Sequence, residues 1–100
     1  LIFNPQRWFQ MASNFKLFRH ETGDSLHLKL YGDFDGSSAH ELIHTLKKCG
    51  SRFYQIFIDT DDLEVIHSFG KDVFQKYYGF LDRRLKNLIF IGKNKLKLTL

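Results

Sequence analysis

The alternation of hydrophobic and polar residues predicts a hairpin near the start of the chain. Residues 15–20 favour a strand with Phe15 and Leu17 on one face. Residues 26–31 alternate strictly between apolar and polar side chains, which is typical of a half-buried strand. The segment between them contains Gly23 and predicts a turn, so we expect the two strands to pair.

Two helices are predicted where apolar residues recur at helical spacing. Ser38 and Glu41 form a capping-box pattern that predicts the start of the first helix, and Gly50 predicts its end. Ser68 is predicted to begin the second helix. The apolar face of the first helix consists of Ala39, Leu42, Ile43 and Leu46. That of the second consists of Phe69, Val73, Phe74, Tyr77 and Leu81.

The remaining apolar segments complete an α/β order. Residues 53–59 form a nearly continuous apolar run, typical of a central strand, and residues 60–62 predict a polar loop after it. Residues 87–91 predict a further strand. The tail, residues 93–100, fits either a strand or a helix capped by Asn94. The order implies a mixed, mostly parallel sheet of four to five strands with helices packed on it.

The composition fits one domain. The chain has 100 residues, of which 43% are hydrophobic and 26% are charged, with one proline and one cysteine. A lone cysteine cannot form an internal disulfide, which favours a cytoplasmic location. We expect a single domain over residues 15–100, with no cofactor and short at its C-terminus. Residues 1–14 are expected to be an extension, in which Asn4 and Pro5 favour a short helix over residues 5–12 or a partly ordered segment.

The formal net charge of +4 raises the question of nucleic acid. Binding it would need aromatic side chains interleaved with cations on one exposed face. The aromatic residues here occupy apolar periodic positions and are interpreted as core. We therefore expect no nucleic-acid partner. No apolar run of about 18 residues occurs, so we also expect no membrane insertion.

Residues 40–44 match H-E-x-x-H, a motif of zinc peptidases. His40 and His44 would bind the metal, Glu41 would activate water, and Glu64 has a plausible spacing for a third ligand. The alternative function is therefore a small zinc-dependent metallopeptidase. Against it, the helical pattern places both histidines on the flank and solvent side of their helix, and 100 residues barely supply one of the two lobes that such a cleft needs.

A second constellation covers residues 15–92. Residues 28–35 and 38–42 match an apolar strand followed by G-x-[LF]-D and then A-x-x-L. A buried strand at 56–59 leads to His67-Ser68-Phe69-Gly70, and residues 87–92 supply the next strand. In this order the segments resemble STAS domains, the sulfate-transporter and anti-sigma factor antagonist modules. The chain is similar to a divergent bacterial member.

The resemblance implies a binding module with no active site of its own. In regulatory members a kinase, which is also the anti-sigma factor, phosphorylates the first serine of D-S-S-G, and Ser68 matches that serine. Two departures stand beside it: His67 replaces the aspartate and Phe69 replaces the second serine. The competing interpretations are a docking module that is not phosphorylated, and a serine that only caps its helix.

The same resemblance places the partner-binding face around the serine. Its expected members are Asp33, Asp35, Asp61, Asp62, His67, Phe69 and Gly70. The expected partner is a protein, such as an anti-sigma factor kinase or another STAS-containing regulator. The four aspartates together would complement a basic partner, although each also suits a turn. A homodimer is a further hypothesis.

Overall fold

Strands and helices follow one another in the order that the alternating and the helical spacing of apolar residues predict. A computed structural model describes residues 14–84 and 87–99. Its elements are β1 Lys16–Thr22, β2 Ser25–Phe34, α1 Gly36–Cys49, a short 3-10 helix Gly50–Arg52, β3 Gln55–Ile66, α2 Ser68–Arg84, β4 Leu88–Ile91 and α3 Lys95–Thr99. The short helix expected over residues 5–12 lies outside the described residues.

The four strands form one mixed sheet in the order β1-β2-β3-β4. β1 and β2 pair antiparallel as the predicted hairpin, with Leu17 opposite Leu30. β3 runs parallel to both β2 and β4, because a helix separates β3 from each of them along the chain. The predicted α/β class with a mixed sheet and an N-terminal hairpin is confirmed.

One face of the sheet carries the core. The strict alternation of β2 sends Leu26, Leu28 and Leu30 to this face, where each is fully buried. The apolar stripe of α1 and Phe74 of α2 belong to the same buried cluster. No described helix packs on the opposite face, where Phe18 is 56% exposed. We call that second surface the open face.

The structure corrects two expectations about the elements. Residues 60–62 are not a loop, because β3 continues to Ile66 and accommodates them through a shift in its pairing with β2. Thr60 is fully buried, and its hydroxyl donates to the carbonyl of Ile91 at 2.9 Å. The tail is a helix, α3, so its strand alternative is wrong. None of the described helices is long and apolar enough to cross a membrane.

The aromatic residues are divided between core and surface, which corrects their assignment to the core alone. Phe34 and Phe74 are fully buried, with their ring centroids 6.2 Å apart. Phe18, Tyr54 and Phe69 are instead 56%, 58% and 67% exposed. Exposed aromatic surface in a small domain often marks an interaction site.

Candidate functional site

Two helices begin side by side at one edge of the sheet. β2 and β3 are parallel neighbours, and each passes into a helix through a single residue, Asp35 after β2 and His67 after β3. The backbone N–H of His67 donates to the carbonyl of Phe34 at 3.0 Å, which ties the two junctions together. The carboxyl ends of parallel strands are a common place for binding sites. We define the serine site as Asp35, Gly36, His67, Ser68, Phe69 and Gly70.

Asp35 organises the first of these junctions. Its Oδ1 accepts hydrogen bonds from the backbone N–H of Ser38 and from the hydroxyl of Ser37, both at 2.9 Å. Asp35 is therefore the N-cap of α1, and the predicted capping box starting at Ser38 is wrong. Burial raises the pKa of Asp35, but hydrogen bonds from Ser38 and Ser37, with the nearby His67, outweigh that effect and hold it below its usual value.

Ser68 is the first residue of α2 and is exposed to solvent. Its hydroxyl makes no hydrogen bond within residues 14–84 and 87–99. The carbonyl of His67 accepts the first bond of the helix, from the N–H of Lys71 at 3.0 Å, so His67 occupies the cap position. The simple interpretation of Ser68 as the helix cap does not describe this arrangement. A group attached to its hydroxyl would lie near the positive end of α2.

Glycines allow the start of α2 to touch the loop before α1. A Cβ added to Gly70 would lie 2.6 Å from the backbone carbonyl of Asp35, closer than real side chains approach. A Cβ added to Gly36 would lie 2.8 Å from the ring of Phe69. The ring therefore rests beside Gly36, with most of its surface in solvent, and Ser68 remains exposed next to it. The bulk of Phe69 does not bury the serine.

A groove between α1 and α2 adjoins the serine site. It has a volume of about 330 Å³ and is lined by Phe69, Val73 and Tyr77 with the polar groups of His40, Asp72 and Lys76. The Nζ atom of Lys47 lies 5.5 Å from the centre of the Tyr77 ring. The α1–α2 groove thus combines apolar walls with charges of both signs, which suits a protein surface with an apolar anchor.

Comparison with known proteins places this geometry in a known fold. No family model and no curated protein sequence matches the chain. The anti-sigma factor antagonist SpoIIAA in its unphosphorylated form superposes with a TM-score of 0.56 at 15% identity, over 76% of this chain and 70% of its own. An anti-sigma factor antagonist from Mycobacterium paratuberculosis gives 0.61 at 14% identity, over 84% and 73%. The chain has the SpoIIAA-like fold.

The fold also occurs inside larger proteins. The crystal structure of Mglu superposes with a TM-score of 0.65 at 15% identity and covers 73% of this chain. The chain spans 18% of the length of that protein. At these identities the likeness concerns the fold. The predicted resemblance to STAS domains, whose regulatory members are anti-sigma factor antagonists, is confirmed at that level.

The structure gathers only part of the predicted set of four aspartates around the serine site. Asp35 belongs to the serine site, and Asp33 lies two residues before it at the end of β2. Asp61 and Asp62 lie elsewhere on β3. Asp61 Oδ1 accepts the N–H of Lys93 at 2.7 Å, and Asp62 lies 3.3 Å from Nζ of Lys29. Both therefore already have partners within the chain.

The residues of the zinc motif do not form a metal site, although His40 lines the α1–α2 groove. His40 and His44 are exposed on α1, on the flank and solvent side that the helical pattern predicts. In the described part of the chain, no three histidine, cysteine, aspartate or glutamate side chains come together in a way that could hold a metal ion. The metallopeptidase alternative, which needs His40, His44 and Glu64 together, therefore finds no support.

Sequence reasoning missed two features of the candidate site. It did not identify Asp35 as the cap, although aspartate before Gly36-Ser37-Ser38 is a good N-cap signal, because the Ser38–Glu41 pattern competes with it. It also did not identify the α1–α2 groove. Val73 and Tyr77 have helical spacing, and the spacing alone does not separate a buried stripe from the wall of a groove.

Proposed function

We propose that this domain is a non-catalytic docking module that binds a partner protein through the serine site and the α1–α2 groove. The observation that carries the proposal is the exposed hydroxyl of Ser68 beside an exposed aromatic ring, Phe69, at the mouth of an amphipathic groove. The solved antagonists with this fold support a protein as the partner. The partner that we propose is an anti-sigma factor kinase or another STAS-containing regulator.

Phe69 is the expected anchor of the docking surface. Aromatic side chains carry much of the binding energy in protein interfaces when a partner buries them. Phe69 is 67% exposed in the free domain, so docking would remove a large apolar area from water. His67 and the groove residues Asp72 and Lys76 would form the polar rim around it.

Phosphorylation of Ser68 is the regulatory form of this proposal. A phosphate adds close to two negative charges, about −1.5 to −2 at neutral pH, at the first turn of α2. The positive helix end favours that charge, whereas the ionised carboxylate of Asp35 at the same junction opposes it. The modification would therefore change the charge of the docking surface without unfolding α2. The domain could also dock without this switch, and binding alone tests the docking step.

The docking step is tested with a photo-crosslinking amino acid placed at Phe69 and, as a control, at Tyr54. Both aromatic residues are more than half exposed, and Tyr54 lies before β3, away from the serine site. A partner captured from the native host only at position 69 is then purified. We expect Phe69→Ser to weaken its binding at least about tenfold and Tyr54→Ser to leave it unchanged. Equal loss in both variants would contradict the proposed surface.

The switch is tested by incubating the domain with the captured kinase and ATP and weighing the intact protein. We expect one phosphate in the wild type and in Ser51→Ala, which removes another exposed serine, and none in Ser68→Ala. Ser68→Asp should weaken partner binding while Ser68→Ala retains it. If the wild type gains no phosphate, the switch is contradicted and the docking proposal still stands.

A measurement of bound metal tests the two proposals together. One zinc ion per chain that survives chelation and is lost in His44→Ala would contradict both the docking proposal and the switch.

A further inference from the structure

The open face of the sheet carries a second, independent feature: two rows of side chains that run across all four strands. Strand pairing places Phe18 beside Lys29, Lys29 beside Asp59, and Asp59 beside Ile91. We call these four residues the central row. The next row, by the same pairing, consists of His20, His27, Phe57 and Ile89.

The open face combines exposed apolar side chains with a hollow. Phe18 and Ile91, at the two ends of the central row, are 56% and 38% exposed. The rings of His27 and Phe57 stack at a centroid distance of 4.8 Å in the next row. A hollow of about 300 Å³ lies between the two rows. Exposed apolar side chains on both sides of a hollow are a feature that suits an interaction site on a small domain.

The order of residues in the central row favours a second copy of this chain as that partner. The row has an apolar end, a cation, an anion and another apolar end. A two-fold axis parallel to the strands would lay β1 over β4 of the other copy and β2 over its β3. Phe18 would then face Ile91, and Lys29 would face Asp59, twice each. The next row is also compatible with this two-fold axis, because His27 of one copy would face Phe57 of the other.

The mixed charges of the open face favour a second copy of this chain over a partner that carries charge of one sign. Lys29 lies 3.3 Å from Asp62 of its own chain, while Asp59 makes no salt bridge among the described residues, although its Oδ1 accepts the backbone N–H of Asp61 at 2.9 Å. The carboxylate of Asp59 can therefore pair with a cation from the other copy. A nucleic acid would instead meet Asp59 and Asp62 on the same surface. Mixed charge around an apolar centre is typical of interfaces between proteins.

We propose that two copies of this chain associate face to face through their open faces, with the central rows paired head to tail. Sheets pack in this way about 10 Å apart with their strands nearly aligned. Three strands that each contribute about seven residues, and β4 with its four, give a face of about 400 Å² per copy at a rise of 3.3 Å per residue and a strand spacing of about 4.8 Å. An interface of that size corresponds to a weak dimer that forms reversibly with concentration.

The pairing is tested by reversing one charge at a time and then mixing the variants. Lys29→Asp places two anions opposite each other at each contact, and Asp59→Lys places two cations there. Sedimentation velocity should show at least about a tenfold increase in the dimer dissociation constant for each variant alone. An equimolar mixture should regain a dimer of about wild-type affinity, because every contact is again between opposite charges.

Matched controls change the same charges away from the open face. Lys48→Asp and Glu41→Lys lie on exposed positions of α1, and neither variant nor their mixture should alter the dimer. Phe18→Ser should weaken the dimer, and thermal unfolding checks that each variant is folded.

Three results would overturn the proposal. One is a wild-type chain that remains monomeric up to about 1 mM, the dissociation constant of a very weak complex. Another is a mixture of Lys29→Asp and Asp59→Lys that shows no rescue. The third uses the single tryptophan, Trp8. If Phe18→Ser shifts the fluorescence emission of Trp8 in a monomeric sample, residues 1–13 of the same chain occupy the open face instead of a second copy.

Discussion

Gly70 is the residue at which the serine site depends most directly on side-chain size. The atoms that a Cβ would meet belong to the backbone of Asp35, which is held by the cap of α1 and cannot rotate away. The start of α2 and the loop before α1 therefore touch only because this position has no side chain. A Cβ added to Gly79, in the same helix, would meet no atom within 4 Å. The two glycines form a matched pair.

Gly70→Ala should lower the free energy of unfolding by about 1–3 kcal/mol, the usual cost of forcing an extra group into a packed contact. Gly79→Ala should raise it by about 0.5–1 kcal/mol, because alanine restricts the unfolded chain and favours the helix. Equilibrium unfolding in urea measures both. Equal effects of the two substitutions would show that the contact between Gly70 and Asp35 is not tight.

Asp35 is expected to contribute through its cap and through its charge. Asp35→Ala should cost about 1 kcal/mol, because the N–H of Ser38 loses its acceptor at the start of α1. Asp35→Asn keeps an acceptor at the N-cap and should cost less. Chemical unfolding at neutral pH distinguishes the two. A loss in Asp35→Asn as large as that in Asp35→Ala would mean that the charge, rather than the cap, dominates.

The lowered pKa of Asp35 gives that contribution a defined pH dependence. A carboxyl with a lower pKa in the folded than in the unfolded state stabilises the fold once it is ionised. The contribution is complete above about pH 4, the unfolded value, and is lost as the pH falls through the lower folded value. The stability difference between wild type and Asp35→Asn should shrink over that range. Asp24→Asn, in the exposed hairpin turn, is the control.

At the scale of elements, the sequence is informative where one periodicity dominates. The alternation in β2 and the helical stripe of α1 predict both the elements and their buried faces, because burial on one side requires that spacing. The serine site follows because the junctions after β2 and β3 are short and parallel strands bring them to one edge. Boundaries that depend on distant contacts are not predictable in this way.

The C-terminal half of β3 shows why such a boundary cannot be predicted from a local pattern. Residues 60–62 look like a loop, yet they stay in the strand because contacts from the far end of the chain hold them. The buried amide of Asn94 donates to the carbonyl of Thr60 at 2.8 Å and to that of Leu63 at 3.1 Å. Asp61 accepts the N–H of Lys93. These partners are more than thirty residues away in sequence, so no local pattern reports them.

Asn94→Ala should therefore destabilise the domain by about 1–3 kcal/mol, since it leaves two buried carbonyls without a donor. Hydrogen exchange should become faster in the second half of β3 and in α3, which Asn94 connects. Asn87→Ala is the control, because its amide also donates to a carbonyl, that of Tyr54 at 3.3 Å, at an exposed site. A loss of similar size in Asn87→Ala would contradict the special role of the buried amide.

At the scale of the whole molecule, the sheet separates two interaction surfaces. The serine site and the α1–α2 groove lie on the helical side, while the central row lies on the open face. Substitutions more than about 7–10 Å apart with no shared partners usually have additive effects. The sheet lies between Phe69 and Lys29, and no described contact links the two side chains.

This separation predicts that partner binding and self-association are independent. The double variant Phe69→Ser/Lys29→Asp should bind the partner as weakly as Phe69→Ser alone and dimerise as weakly as Lys29→Asp alone. Titration calorimetry for the partner and sedimentation for the dimer measure the two constants on the same samples. Independence would let one dimer present two docking surfaces facing outward, so the partner could be bound twice. If Lys29→Asp changed partner affinity at concentrations where the wild type is monomeric, the sheet would couple its faces.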